Sequence, residues 1–502
     1  MRVSRCSLGA IALFGGLLVT TPLLAEGALG EAGRLDHSFG SSGVVTTAIG
    51  NGDSNAGGVA LQPDGKILAA GSAAIDGQRR FALVRYRGNG SRDPAFGQAG
   101  TVTTAIGSID DSAGDLVVEP SGKIAAAGVS FDGSADRVAL VQYNSDGSLD
   151  TSFGTDGKTT AQLGKRSDAS GVALQPDGKL VTVGSAGDGR GSDIALARFQ
   201  PDGSLDPHFG AGGKVAVNFG GGDDFGTGVA IQRDGKIVAV GSAQTNGDVD
   251  AFAVARINQD GSRDPSFGED GQVMTPIGSG SASAIDVVIQ PDGKIVAVGA
   301  GVPGFVLVRY RPDGSLDHSF GIGGVATTQV GSGSLPYAVG LQRDGKLVVA
   351  GYSYSSAGVP RFAIVRFKTN GALDRAFGQG GAVTTRIGSE AFADAIAVQR
   401  DGKIVVAGVA LLGSHSDIVL ARYLSARVAR DSCRVPAMTG KPLPVAKQEL
   451  AHARCSLGAV RRVFSSKVRR GRVIVQHPRA GVLVARDTRV RLVVSKGEKH
   501  RP

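Results

Sequence analysis

The sequence predicts an all-β protein: a seven-bladed β-propeller of four-stranded blades, followed by a small α+β domain. Three observations predict it. A Phe-Gly pair preceded by Asp recurs at Phe39, Phe96, Phe153, Phe209, Phe267, Phe320 and Phe377, at intervals of 57, 57, 56, 58, 53 and 57 residues. A second landmark, Asp-Gly-Lys or a near copy, keeps step at Gly65, Gly122, Gly178, Gly235, Gly293, Gly345 and Gly402. A third, of the form Ala-Leu-Val-Arg-Tyr, falls around Arg85, Gln142, Arg198, Arg256, Arg309, Arg366 and Arg422. Landmarks in constant order at constant spacing mean one supersecondary unit repeated, and such units bury their apolar faces by stacking on neighbours.

The chain begins with a different signal. Arg2 and Arg5 precede an uncharged apolar run from Leu8 to Leu24, and Ala25 offers a small residue for cleavage. The expectation is a signal peptide over residues 1–25, although Leu23 departs from the usual small residue two places before the cut. The run is short for a membrane span and contains Pro22, and no later segment approaches the ~20 apolar residues of a membrane helix. Cys6 precedes the apolar run instead of following it, which does not fit a lipoprotein cysteine.

The first full unit shows why each repeat reads as strands. Val44 to Ile49 is a β-branched run closed by Gly50, and Gly58 to Gln62 alternates into Pro63-Asp64-Gly65-Lys66. Pro fixes φ and Gly accepts positive φ, so this tetrapeptide presets a tight turn. Ile67 to Gly71 leaves that turn as the partner strand of a hairpin, Phe81 to Tyr86 forms a further strand, and Gly90 to Asp93 turns the chain onward. Four short antiparallel strands per unit, without helical periodicity, are the signature of a propeller blade. Runs apolar on both faces suit sheets stacked between neighbours. A solenoid is the competing architecture, but seven units favour ring closure, and no eighth Phe-Gly follows Arg422-Tyr423. The first unit is therefore expected to pack against the last. The 78 glycines fall at fixed places in the units, which argues for turns rather than disorder.

The consensus Asp-x-Ser-Phe-Gly, Pro-Asp-Gly-Lys, Ala-Leu-x-Arg-Tyr resembles the bacterial delta-60 repeat family over residues 35–424, and the resemblance implies a β-propeller. Ser121 replaces the turn Asp, Gln142 replaces the Arg, and the fifth unit is shortened between Gly299 and Phe305.

The repeated acids Asp36, Asp93, Asp150, Asp206, Asp264, Asp317 and Asp374 invite a calcium reading, because segments such as Asn144 to Asp150 look a little like a calcium loop. The alternating ligands and distant bidentate Glu of an EF-hand are missing, so an Asp-capped turn is the better reading. The repeated Arg is expected to form an ion pair or carbonyl contact between neighbouring strands; a ring of arginines around the axis, holding an anion, is the alternative. The seven His do not pair with carboxylates at metal-ligand spacing, and the Gly-rich loops lie between strands rather than before a helix. No catalytic, metal or cofactor site is expected, and the chain is read as not an enzyme.

The C-terminal piece differs in charge. The chain carries a net +9, but residues 425–502 hold 19 Lys and Arg against 4 Asp and Glu, which leaves the remainder mildly acidic. Residues 425–432 read as a linker and 433–497 as a domain. Leu443, Ala446, Leu450 and Ala453 stand at helical spacing, with Pro444 near the start, while Arg472 to Gln476 and Val490 to Val494 read as strands. After export only Cys433 and Cys455 remain, and the pair is expected to form a disulfide whose closed loop contributes on the order of 3 kcal/mol. Val435-Pro436, Gly440, Gly458, Gly471, Gln476-x-Pro478, Gly481 and Val493-Val494-Ser495-x-Gly497 resemble a PASTA domain. PASTA domains occur in bacterial cell-wall enzymes and receptor kinases, and several bind peptidoglycan fragments, so the resemblance implies wall contact. Arg461, Arg462, Lys467, Arg469, Arg470 and Arg472 are the candidate residues for peptidoglycan or anionic wall polymers.

The sequence thus reads as a secreted, monomeric, non-enzymatic binding or scaffold protein, possessing an unidentified protein or carbohydrate ligand on the propeller and a basic module for wall tethering. Export argues against nucleic acid, and no membrane contact is expected after signal cleavage. A propeller-borne hydrolase or lyase with its site in the variable loops, and a purely structural surface protein, are the rival readings.

Overall fold

The computed structural model describes residues 32–498 apart from 108, 188, 190, 221, 246–248, 426–431, 454 and 486–488. The expected signal peptide at 1–25 and most of the expected linker lie outside the described residues. No described helix is long and apolar enough to cross a membrane.

Seven antiparallel sheets make the ring. Blade 1 runs Ser54–Leu61, Ile67–Ile75, Gln78–Tyr86 and Thr101–Thr104, each strand pairing with the next. The first strands of the other blades are Asp110–Val118, Gly171–Leu174, Asp224–Ile231, Ser283–Ile289, Ser334–Leu341 and Glu390–Val398. Each of these seven neighbours the first strands before and after it, the last returning to the first, so they surround the axis. In blade 3 the inner strand is broken, Arg166–Ser167 and Gly171–Leu174 both pairing with Leu180–Gly187. The shortened fifth blade joins Ile295–Gly301 to Gly304–Tyr310 through two residues.

The blades are offset by one strand from the units read in the sequence. Val44–Thr47 is not the inner strand of blade 1; it is the outermost strand of blade 7, with Val44 opposite Ala421 and Thr47 opposite Ile418. The cause is the Phe-Gly connector. Asp93 and Phe96 fold it back on the third strand, the Asp93 N–H bonding the Arg85 carbonyl and the Arg85 N–H bonding the Gly100 carbonyl. The run after each Phe-Gly is thereby laid beside the strand just completed. Closure is a shared sheet rather than mere packing of first unit on last, and it pairs residues far apart in sequence.

The second and third strands are buried on both faces, because each core lies between two blades. Leu68, Phe81 and Leu83 of blade 1 meet Leu116, Ile124 and Val141 of blade 2. The tyrosine of the third landmark adds a polar tie: Tyr86, Tyr143, Tyr310 and Tyr423 reach the hydroxyls of Thr47, Thr104, Thr275 and Thr385 at 2.8 Å, each on the outer strand of the preceding blade. Where the tyrosine is replaced by Phe199 or Ile257, the corresponding threonine is replaced by Ala161 or Val217; where it is replaced by Phe367, Thr328 is kept and is only half-buried.

The C-terminal domain has a core of its own, including Val435, Met438, Ala446, Leu450, Val473 and Leu492. Its helix Leu443–His452 buries Ala446 and Leu450. The central strand Arg489–Ser495 pairs parallel with Ser456–Val463 and antiparallel with Val473–His477. The strand Ser456–Val463 was not expected from the sequence; Gly458 and the pair Arg461-Arg462 break its apolar alternation. Cys433 and Cys455 are joined in a disulfide.

Candidate functional site

The repeated residues meet on one face of the ring, where the Asp-Gly-Lys turns and Phe-Gly connectors lie together. In blade 3 the Arg198 Nε donates to Asp206 Oδ2 at 2.8 Å, and its guanidinium lies 4.4 Å over the Phe209 ring. A second guanidinium N–H donates to the Gln259 carbonyl of the next blade. Lys179, from the Asp-Gly-Lys turn, approaches the same Asp206 oxygen at 3.3 Å. The three landmarks keep step because they form one cluster. Burial alone would raise the Asp206 carboxyl; the His208 backbone N–H and the Lys179 and Arg198 cations together hold it below the usual range. Arg198 and Asp206 side chains are 4% and 2% exposed, so this is an inter-blade strap, not a ring of arginines presented to an anion. The matching carboxylates, such as Asp150, are likewise occupied, accepting from Ser152 and Lys123. Among the described residues no group of three or more His, Cys, Asp or Glu is arranged to hold a metal.

Blade 2 departs from this scheme in a compensated way. Gln142 replaces the Arg and donates 2.7 Å to Glu119, which replaces the Gln found at this place in the other units. The joint between blades 2 and 3 therefore lacks its guanidinium strap. On the axial side of that joint, Asp115 Oδ2 accepts the Val172 N–H of blade 3 at 3.1 Å, and its other oxygen accepts Leu116 N–H. Asp286 does the same between blades 5 and 6, accepting Val339 N–H at 2.8 Å. Burial pushes Asp115 up to about 7, with the charge of Asp286 adding to the rise, and pushes Asp286 up to about 6.

The opposite face carries the loops that differ from unit to unit. At the mouth between blades 6 and 7, Tyr337, Tyr352, Tyr354 and Phe392 gather: Tyr337 and Tyr352 stack at 5.9 Å, and Tyr352 meets Phe392 edge-on at 4.9 Å and Tyr354 at 5.5 Å. Sequence reasoning named neither this cluster nor the axial pair. The legible signal was Tyr352, which stands where the other units place Ser, Ala or Val.

On the C-terminal domain, Arg461, Arg462, Lys467, Arg469 and Arg470 are exposed and form no ion pair among the described residues. Arg461 and Arg462 are consecutive on an extended strand and so point to opposite faces, whereas Lys467, Arg469 and Arg470 share the following loop. Arg472 is half-buried and donates to the Gly440 carbonyl at 2.7 Å, which holds the domain's own turn.

Comparison with known proteins agrees with this architecture. The family profile described as "Domain of unknown function (DUF5122) beta-propeller" matches seven times, at residues 62–96, 119–153, 175–209, 232–267, 290–320, 342–377 and 399–425. A PASTA domain profile matches residues 434–496. No curated protein matches the chain. Similar solved structures include a virginiamycin B lyase from Staphylococcus aureus with quinupristin (11% identity, 75% of this chain and 98% of that one, TM-score 0.46). A polysaccharide lyase (12%, 79% and 97%, 0.45) and a puromycin hydrolase (16%, 72% and 50%, 0.41) are others. At such identities the likeness concerns the fold. The expectation that the chain is not an enzyme is corrected by these matches: propellers that resemble it include enzymes, so scarcity of histidine is no ground for excluding catalysis.

Proposed function

Since the chain belongs to the DUF5122 β-propeller repeat family and ends in a PASTA domain, we propose that it is an exported protein held at the bacterial wall by that domain, with the propeller displayed as its ligand-binding body. The PASTA match over residues 434–496 carries the reading, since domains of this kind bind peptidoglycan-related ligands. The unpaired cations Arg461, Arg462, Lys467, Arg469 and Arg470 support it, because an excess of positive charge attracts wall polyanions with an affinity that falls as salt rises. Arg472, engaged at Gly440, contributes to the fold of the domain more than to its ligand. The disulfide and the apolar N-terminal run support export. Sedimentation of the mature protein with purified sacculi, with and without residues 433–502, tests the tether. Equal retention of both forms would remove it.

One observation favours a second reading, a propeller hydrolase or lyase. Asp115, raised to about 7 by burial, keeps its proton in part near pH 7, whereas Asp286, raised to about 6, is largely ionised, so one can serve as acid and the other as base. Release of reducing ends from wall glycan by the protein, abolished in an Asp115→Asn, Asp286→Asn double variant, would support it. Identical release by both forms would dismiss the axial pair.

A further inference from the structure

The chain has seven tyrosines and no tryptophan. Four of the tyrosines, Tyr86, Tyr143, Tyr310 and Tyr423, are fully buried and hydrogen-bonded to threonine within the ring. The other three all lie in one patch, beside Phe392, at the loop-face mouth between blades 6 and 7. We propose that Tyr337, Tyr352, Tyr354 and Phe392 form a binding platform for a neutral oligosaccharide.

The internal repeat supplies the comparison. Tyr352 lies opposite Leu335, just before the bulge of the inner strand. At the same register the other blades place Ser72, Val129, Ser242, Ala300 and Val409 opposite their inner strands. Blade packing is satisfied there by small side chains; in blade 1 it is even locked by Ser72 donating to Asn55. The bulge residue varies more widely: Tyr337 stands where other blades have Gly57, Gly114, Thr227, Ile285 and Asp394, none of them aromatic. Tyr354 aligns with Ala74, Phe131, Gln244 and Leu411, so among these blades it is the combination of an aromatic at all three positions that belongs to blade 6 alone.

Chemistry selects the occupant. Tyr337 and Tyr354 are each 37% exposed, while Tyr352 is 7% exposed and braces them from below. Tyr337 stacks on the buried Tyr352 within 25° of parallel, so Tyr337 and Tyr354 carry the exposed ring surface. A pyranose presents the complement, an apolar face of C–H bonds edged by hydroxyls. The strand bearing Phe392 also bears Glu390 and Asp394, which disfavours a polyanion. Tyr352 and Tyr354 sit on a strand hydrogen-bonded on both sides, so an extended peptide finds no backbone edge there.

The test is a titration of the full-length mature protein with chitohexaose and cellohexaose, followed by tyrosine fluorescence and ligand-observed NMR. With no tryptophan, and four tyrosines sequestered, the fluorescence reports on the platform. Saturable binding of at least one oligosaccharide is expected. Tyr337→Ala and Tyr354→Ala should each weaken it about fivefold or more, while Tyr354→Phe stays within about twofold and all three keep the wild-type melting temperature. Absence of oligosaccharide binding would overturn the proposal. So would binding that the alanine variants retain, or binding of a proline-rich peptide in place of any sugar. Retention on sacculi through the C-terminal domain is a separate readout, so failure of the tether would leave this site standing.

Discussion

Replacing Arg198 by Gln tests whether the repeated residues are straps between blades. The side chain is 4% exposed and serves three partners: Asp206 at 2.8 Å, the Phe209 ring and the Gln259 carbonyl of the next blade. Removing one member of a buried pair costs about 3–5 kcal/mol, and Lys179 at 3.3 Å still partly neutralises Asp206, so the lower end applies. Unfolding entropy is about 2 cal/mol/K per residue, so for a ring of roughly 400 residues about 3 kcal/mol lowers the melting temperature by about 4 °C. Blade 2 supplies the rescue. A second change, Gln175→Glu, recreates the Glu119–Gln142 bond seen at 2.7 Å and should recover about half of the loss. Thermal unfolding of the wild type and the two variants, followed by circular dichroism at one pH and salt, decides the matter. An unchanged midpoint in Arg198→Gln, or a double variant no better than the single, would refute the strap.

Four further outcomes follow from the same geometry. The folded-state value of Asp115, about 7, lies well above the ordinary value near 4, so the native state is disfavoured as pH rises through that interval and unaffected below it. Asp115→Asn should therefore equal the wild type at pH 4 and exceed it by about 2 kcal/mol at pH 8, half the three-unit maximum because the side chain is only partly sequestered from water; an advantage that does not grow with pH contradicts the placement. Tyr143→Phe strands the buried Thr104 hydroxyl and should cost about 1–2 kcal/mol, recovered by adding Thr104→Ala, as blade 3 does with Phe199 and Ala161; chemical denaturation measures both. Cys433→Ser with Cys455→Ser should lower the stability of the C-terminal domain by about 3 kcal/mol, visible by calorimetry as a shift in its transition. Arg422→Gln removes the link to Asp36 that joins the two ends of the ring, and should accelerate proteolysis at the blade 7 closure more than Arg198→Gln accelerates cleavage in blade 3.

The architecture was legible because a ring of like blades repeats its demands. Each Phe-Gly, Asp-Gly-Lys and Arg recurs since each is part of the same buried cluster, as Phe209, Lys179 and Arg198 show. The one-strand offset was not legible, because Val44–Thr47 reads equally well as the start of a unit or the end of a blade; only the fold-back of the Asp93 connector decides it. The strand Ser456–Val463 was hidden for the opposite reason, as an edge strand with charged residues has no clear apolar period. The site was less legible than the fold. Asp115 and Asp286 lie at inner-strand positions filled differently elsewhere, on blades three apart in the ring. Tyr352 and Tyr354 were visible as letters, but their meeting with Phe392 of the next blade needed the structure.

On this reading the repeated residues build a scaffold, while recognition belongs to residues that do not repeat. Co-sedimentation with purified sacculi across a salt series, for four forms of the full-length protein, tests it most directly: wild type, Arg198→Gln, a triple Lys467→Glu, Arg469→Glu, Arg470→Glu variant, and Tyr337→Ala with Tyr354→Ala. Arg198→Gln should be retained like the wild type, the triple variant should be released at much lower salt, and the tyrosine variant should lose only the fraction resistant to high salt. Release of Arg198→Gln while folded, with the triple and tyrosine variants retained, would contradict it.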